Sequence, residues 1–199
     1  MANGKEEGTI TIEDLAEMCE SADVKDTEGE LKNRIISIDS EIDTELMNQA
    51  TIPLMEMDSD GTNEPITILI NTPGGDVYNG LALCKVIQKL KTPTTVRILG
   101  AAMSMGVLIA MAGHNNPNVK TICDEFSVGL LHQGYQALSG SCSNVGSLYE
   151  FNIRYEKRVE KYIFENSDIT EHYYDTIKYN DTWLDSDDML KYGIVDEII

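Results

Sequence analysis

The chain has 199 residues, 42% of them apolar and 25% charged, which fits one globular domain with an appendage and a self-sufficient core. Lys and Arg number 15 against 34 Asp and Glu, a formal charge of −19. That charge opposes nonspecific binding to polyanions, so neither nucleic acid nor an anionic membrane surface is an expected partner.

Nothing approaches the roughly 20 apolar residues that cross a bilayer; the longest apolar run, around 105–112, belongs in a core. The N-terminus has no apolar segment behind a basic one, so no signal peptide is expected. The four cysteines, Cys19, Cys84, Cys123 and Cys142, form no C-x-x-C pair. They read as thiols in a reducing compartment, and a cytoplasmic location is expected.

Residues 1–30 are acidic and carry one short amphipathic patch around Ile12, Leu15 and Cys19. They read as an arm, with a linker running to residue 33. The pattern tightens at 34–38, a strand candidate. Apolar spacing predicts a helix over 42–57, kinked or broken at Pro53. The β-branched run 66–70 predicts a strand buried on both faces of a parallel sheet. A Pro-Gly-Gly turn then opens a helix over 77–90. A strand at 94–99 leads through small residues to Ser104 and a helix reaching 112. Short strands follow within 121–131, helices at 147–165, 171–179 and 186–192, and a closing strand at 194–198. Alternating strands and helices with glycine turns predict an α/β fold with right-handed βαβ crossovers.

Two strand-to-helix turns carry the chemistry. Pro73-Gly74-Gly75 brings backbone N–H groups where an anion could sit. The second turn sets Ser104 between Met103 and Met105, with Gly100 before it and Gly106 after it. A serine on such a turn presents its hydroxyl in the manner of a nucleophile elbow, although G-x-S-x-G is absent; the plainer reading is a helix N-cap. Serine needs a base. Of three histidines, His132 is best placed, at a strand end beside Gly134, against a plain core or turn role. The third member must be a carboxylate, and spacing cannot choose it. Asp181, between an aromatic-rich helix and Trp183-Leu184, could be partly buried.

The run Asn71-Thr72-Pro73-Gly74-Gly75, then Gly100-Ala101-Ala102-Met103-Ser104-Met105-Gly106, then His132-Gln133, resembles the proteolytic subunit family of the Clp protease, ClpP. The resemblance runs from Leu31 to Ile199, so the chain divides into an arm, 1–30, and a peptidase domain, 31–199. It implies the crotonase-like ββα superhelix and a serine endopeptidase. It implies Ser104 as nucleophile, His132 as base and Asp181 as acid, with Gly75 and Met105 giving the oxyanion-hole N–H groups. Substrate would lie along Gly74, Asp76 and Val77 and along Gly134, Tyr135 and Gln136. The family stacks two seven-membered rings around its active sites and receives unfolded chains from an AAA+ ATPase. ATP would therefore be used by that partner, and no cofactor is expected here. The helix at 147–165 would be the handle joining the rings.

The chain departs from the family's usual pattern at several places. Asp76 stands where Ser is usual and Gly134 where Pro is usual, and the family's axial N-terminal loops are not recognisable in the arm. Pro-Gly-Gly-Asp-Val also resembles phage head-maturation proteases of the same superfamily. A non-catalytic ring component is a further alternative.

Overall fold

The computed structural model describes residues 33–134 and 137–199. The arm and its amphipathic patch, Cys19, and Tyr135 and Gln136 lie outside the described residues.

The run at 66–70 becomes β2 (Ile66–Thr72), with β1 (Ile35–Ile38) and β3 (Thr94–Met103) parallel on either side. Ile66, Ile68 and Ile70 are buried, whereas Thr67 and Leu69 are only half-buried. The expectation of a strand buried on both faces is therefore corrected. One face joins α2 (Val77–Ile87) and α3 (Met105–Ala110) in a single apolar cluster through Leu83, Cys84, Ile87, Val107 and Ile109. Among the described residues the other face has no comparable cover.

β3 is longer than its predicted 94–99 because it serves two partners. Thr94–Ile98 pairs in parallel with β4 (Val119–Cys123), and Ala101–Met103 pairs in parallel with β5 (Val128–Leu131). Between the two halves the register against β2 shifts, and the Asn71 side-chain oxygen accepts the Ala101 N–H at 3.1 Å. An amide side chain thus stands in for the missing ladder partner. β6 (Thr182–Leu184) pairs antiparallel with β5, and β7 (Glu197–Ile198) pairs with β4. The strand predicted at 194–198 is limited to its last part.

The helix expected over 42–57 forms in pieces. Ile42 bridges Gly75, a π-turn spans Met47–Thr51, and α1 runs from Ile52 to Ser59. Pro53 marks the break: the π-turn ends at Thr51 and a new α-helix begins at Ile52. It stands in the first turn of α1, where its missing N–H is not needed.

α4 (Cys142–Glu165) starts ahead of the predicted 147 because the Ser141 hydroxyl caps it, accepting the Asn144 N–H at 3.3 Å. Its 24 residues span about 36 Å at ~1.5 Å each, yet only Tyr162 and Ile163 are buried. α5 (Glu171–Ile177) and α6 (Ser186–Lys191) complete the described elements, capped by Thr170 and Asp185. Among the described residues no helix is long and apolar enough to cross a membrane.

Packing sets thiol reactivity. Burial pushes the Cys84 thiol up to about 12 and the Cys123 thiol to about 11, while Cys142 is exposed. A thiol is nucleophilic only as thiolate. Iodoacetamide at pH 8 should therefore alkylate Cys142 and spare Cys84 and Cys123 until the protein unfolds. Peptide mapping that finds either core thiol modified in folded protein would contradict this packing.

Candidate active site

Ser104 occupies the N-cap position of α3, but its side chain makes no capping bond. The hydroxyl goes to His132 instead, at 2.9 Å from Nε2. Its backbone lies at φ 52°, ψ −116°, one of three positive-φ non-glycine residues among those described. Such a conformation costs about 1–3 kcal/mol and persists only when its surroundings impose it. The constraint is visible here: the Ser104 N–H donates to the Leu130 carbonyl at 2.8 Å, so β3 stays paired with β5 up to the turn. The plainer reading of Ser104 as a cap does not hold.

His132 follows β5, and Asp181 precedes β6. In the antiparallel register Gly129 faces Leu184, Leu130 faces Trp183 and Leu131 faces Thr182. One step further sets His132 opposite Asp181, and His132 Nδ1 lies 3.2 Å from Asp181 Oδ1. The imidazole thus bridges a hydroxyl at Nε2 and a carboxylate at Nδ1. Asp181 is not partly buried as expected: its side chain is 67% exposed, against 25% for His132. In the protomer this contact is open to water and to screening by salt.

The glycine turn approaches this centre at close range. Gly74 and Gly75 have φ of 92° and 145°, and a Cβ on Gly74 would lie 2.8 Å from Ser104 Cβ and 3.0 Å from Met105 N. On the turn's far side, the Ile42 N–H donates to the Gly74 carbonyl at 2.8 Å and the Asp76 N–H donates to the Ile42 carbonyl at 2.7 Å. In such a parallel bridge the bonds flank Gly75, so its own N–H is directed away from Ile42. The Met105 side chain is buried, and its backbone N–H opens the first turn of α3 beside Gly74.

A cavity of about 370 Å³ adjoins the serine. Ser104, His132, Val77 and Gly134 line it, together with Leu108, Ile153, Val159 and Ile163. The Asp76 carboxylate caps α2, accepting the Asn79 N–H at 2.8 Å. The α4 wall was not singled out from the sequence. Its signal is Tyr149, Ile153, Glu156, Val159 and Ile163 at three- and four-residue steps, a stripe hidden among charges of both signs. Among the described residues no cluster of His, Cys, Asp or Glu could hold a metal ion.

A strained serine on a strand-to-helix turn, an imidazole between its hydroxyl and a carboxylate, and a glycine loop alongside are the parts of a serine hydrolase. Comparison with known proteins gives the family. A profile of the Clp protease family matches residues 20–199, upstream of the Leu31 start read from the sequence. The ATP-dependent Clp protease proteolytic subunit of Streptococcus mutans is 29% identical over 171 residues, covering 85% of this chain and 86% of its own. The protein of the same name from Deinococcus radiodurans is 27% identical, covering 85% and 81%. Subunit 1 from Salinibacter ruber is 27% identical, covering 85% and 71%. The chain belongs to the Clp protease family; it is a serine peptidase with the ClpP-like fold.

Gly75 tests the turn directly. A Cβ there would lie 2.2 Å from the Ile42 carbonyl oxygen, at a φ that side chains rarely adopt. Gly75→Ala should lower peptidase turnover by about 10²-fold, the scale of losing one oxyanion donor. Hydrolysis of a fluorogenic peptide checks it, and unchanged turnover would contradict the placement.

Proposed function

We propose that this chain is the proteolytic subunit of a self-compartmentalised, ATP-dependent protease, cutting peptide bonds of unfolded polypeptides. The observation that supports this most is the continuous chain of contacts from Ser104 through His132 to Asp181. His132 Nε2 takes the hydroxyl proton as Ser104 Oγ attacks the scissile carbonyl carbon. The Gly75 and Met105 N–H groups hold the resulting oxyanion. The C–N bond breaks as His132 returns the proton to the leaving amine, and water then releases the acyl group by the same route. Asp181 orients the imidazole and stabilises its cation. These contacts favour an active subunit over a non-catalytic ring component.

Substrate would lie extended along Gly74–Val77, on the edge that Ile42 does not occupy, and face Gly134 across the cleft. Tyr135 and Gln136, which the resemblance also assigns to substrate binding, lie outside the described residues. The reaction so read draws on side chains and backbone donors alone, with ATP consumed by a partner AAA+ unfoldase. Two stacked heptameric rings joined through the projecting α4 fit its exposed apolar residues Leu148, Tyr149, Phe151 and Ile153. A chamber in the cytoplasm, with neither nucleic acid nor membrane as partner, fits the charge.

A fluorophosphonate probe should label Ser104, and Ser104→Ala should lower turnover by roughly 10³-fold or more while leaving assembly intact. An assembled protein that is not labelled, or is labelled elsewhere, contradicts the reading. The walls of the cavity predict cleavage after bulky apolar residues, because Leu108, Ile153, Val159 and Ile163 would bury such a side chain. Product mass spectrometry on an unfolded protein checks this, and a dominant preference for Gly or Asp before the cut would contradict it.

A further inference from the structure

Lys178 stands outside the triad but touches both segments that carry it. It follows α5 and precedes Asp181 by three residues. Its carbonyl accepts the N–H of Gln133, the neighbour of His132, at 2.9 Å. This bond carries the contact between the two segments beyond the last β5–β6 pair, Leu131 with Thr182.

The side chain reaches the opposite way. Its ammonium donates to Glu160 on α4 at 3.2 Å and lies 2.8 Å from Asp175. It also sits 5.4 Å from the Tyr179 ring centre and 6.0 Å from that of Tyr174. The Lys178 and Glu160 side chains are 16% and 22% exposed, so this pair is better shielded than the 67%-exposed Asp181 it supports. Asp175 and Glu160 hold the Lys178 ammonium above its ordinary value.

A second tie runs in parallel. The Gln133 amide donates to Glu156, one helical turn before Glu160 on α4. Burial and the neighbouring Glu160 charge raise the Glu156 carboxyl above its usual range. Two α4 carboxylates four residues apart therefore grip the His132 segment and the Asp181 segment separately. α4 has few buried anchors of its own, Tyr162 and Ile163.

We propose that Lys178 is a positioning residue that clamps the His132 and Asp181 segments to α4, so that the seating of this helix sets the reactivity of Ser104. The proposal rests on the triad roles given above. Without the Lys178–Glu160 contact, the Asp181 segment loses its ionic tie to α4, and the His132 segment, bonded to it through the Lys178 carbonyl, is left with the Gln133–Glu156 tie alone. Asp181, open to water, then spends less time against Nδ1. An imidazole so misplaced costs turnover more than binding, since positional errors of about 1 Å can cost 10²-fold.

The test uses the full-length assembled protein and measures fluorogenic-peptide kinetics and the rate of fluorophosphonate labelling at Ser104. Lys178→Met should lower kcat by about 10- to 100-fold and the labelling rate in parallel, with KM changed by less than about threefold. Lys178→Arg should restore most of the loss, and Glu160→Gln should fall in the same direction. In an Asp181→Asn background, Lys178→Met should cost little more, because both changes then act through one contact. If Lys178→Met does not fold, Glu160→Gln is read in the same way in both backgrounds. An unchanged kcat, a loss that Arg does not restore, or an equal loss in both backgrounds overturns the proposal. Wild-type protein unlabelled at Ser104 removes the catalytic reading and this proposal together. Labelled wild type with an indifferent Lys178→Met removes the proposal alone.

Discussion

Strand β5 is four residues long, and the geometry of the centre depends on its two edges. On one edge the Leu130 carbonyl accepts the Ser104 N–H, which fixes the end of β3 and forces the serine into a positive φ. On the other edge the antiparallel ladder with β6 sets His132 against Asp181. A slip of one residue in either pairing would turn a side chain to the wrong face, since strand side chains alternate. The same backbone register thus supplies the strain at the hydroxyl and the alignment of its neighbours. Gly129 fits between Met189, Val107 and Leu184, which shows how tightly that short strand is held from both sides.

Around this ladder the molecule spends most of its burial on the sheet face covered by α2 and α3, leaving α4 largely outside the core. α4 nonetheless forms one wall of the cavity beside Ser104 and carries the carboxylates that meet Gln133 and Lys178. The helix proposed to join the rings is therefore also the helix that shapes the cleft. Water exclusion matters to this arrangement. The exposed Asp181 contact is weak in high dielectric, and covering it strengthens the attraction between carboxylate and imidazolium.

Local signals made much of this legible. The alternating strands and helices follow from β-branched runs and glycine turns, and the Ser104 turn was visible as small residues framing one serine. The Pro-Gly-Gly loop was visible because only glycine tolerates φ of 92° and 145° against neighbouring backbone. Non-local features were not readable from composition and spacing. Asp181 meets His132 only through the β5–β6 register, and resemblance to the family, not spacing, was what singled it out. Its exposure depends on how α5 ends at the surface, which no local pattern encodes. The break at Pro53 was legible, but the π-turn ahead of it was not, because no local pattern marks that geometry. The long β3 was underestimated because its second half is stabilised by β5, which lies far ahead in the chain.

The central claim is that the Ser104 oxygen reacts while Gly75 and Met105 supply the hydrogen bonds to the developing charge. A crystal structure of the assembled protein after reaction with a peptide boronate or chloromethyl ketone tests it most directly. The account predicts a covalent bond to Ser104 Oγ, with the adduct oxygen about 2.7–3.1 Å from both the Gly75 and Met105 nitrogens. A tetrahedral adduct on Ser104 whose oxygen points to solvent, or a reagent bonded to another residue, would contradict it.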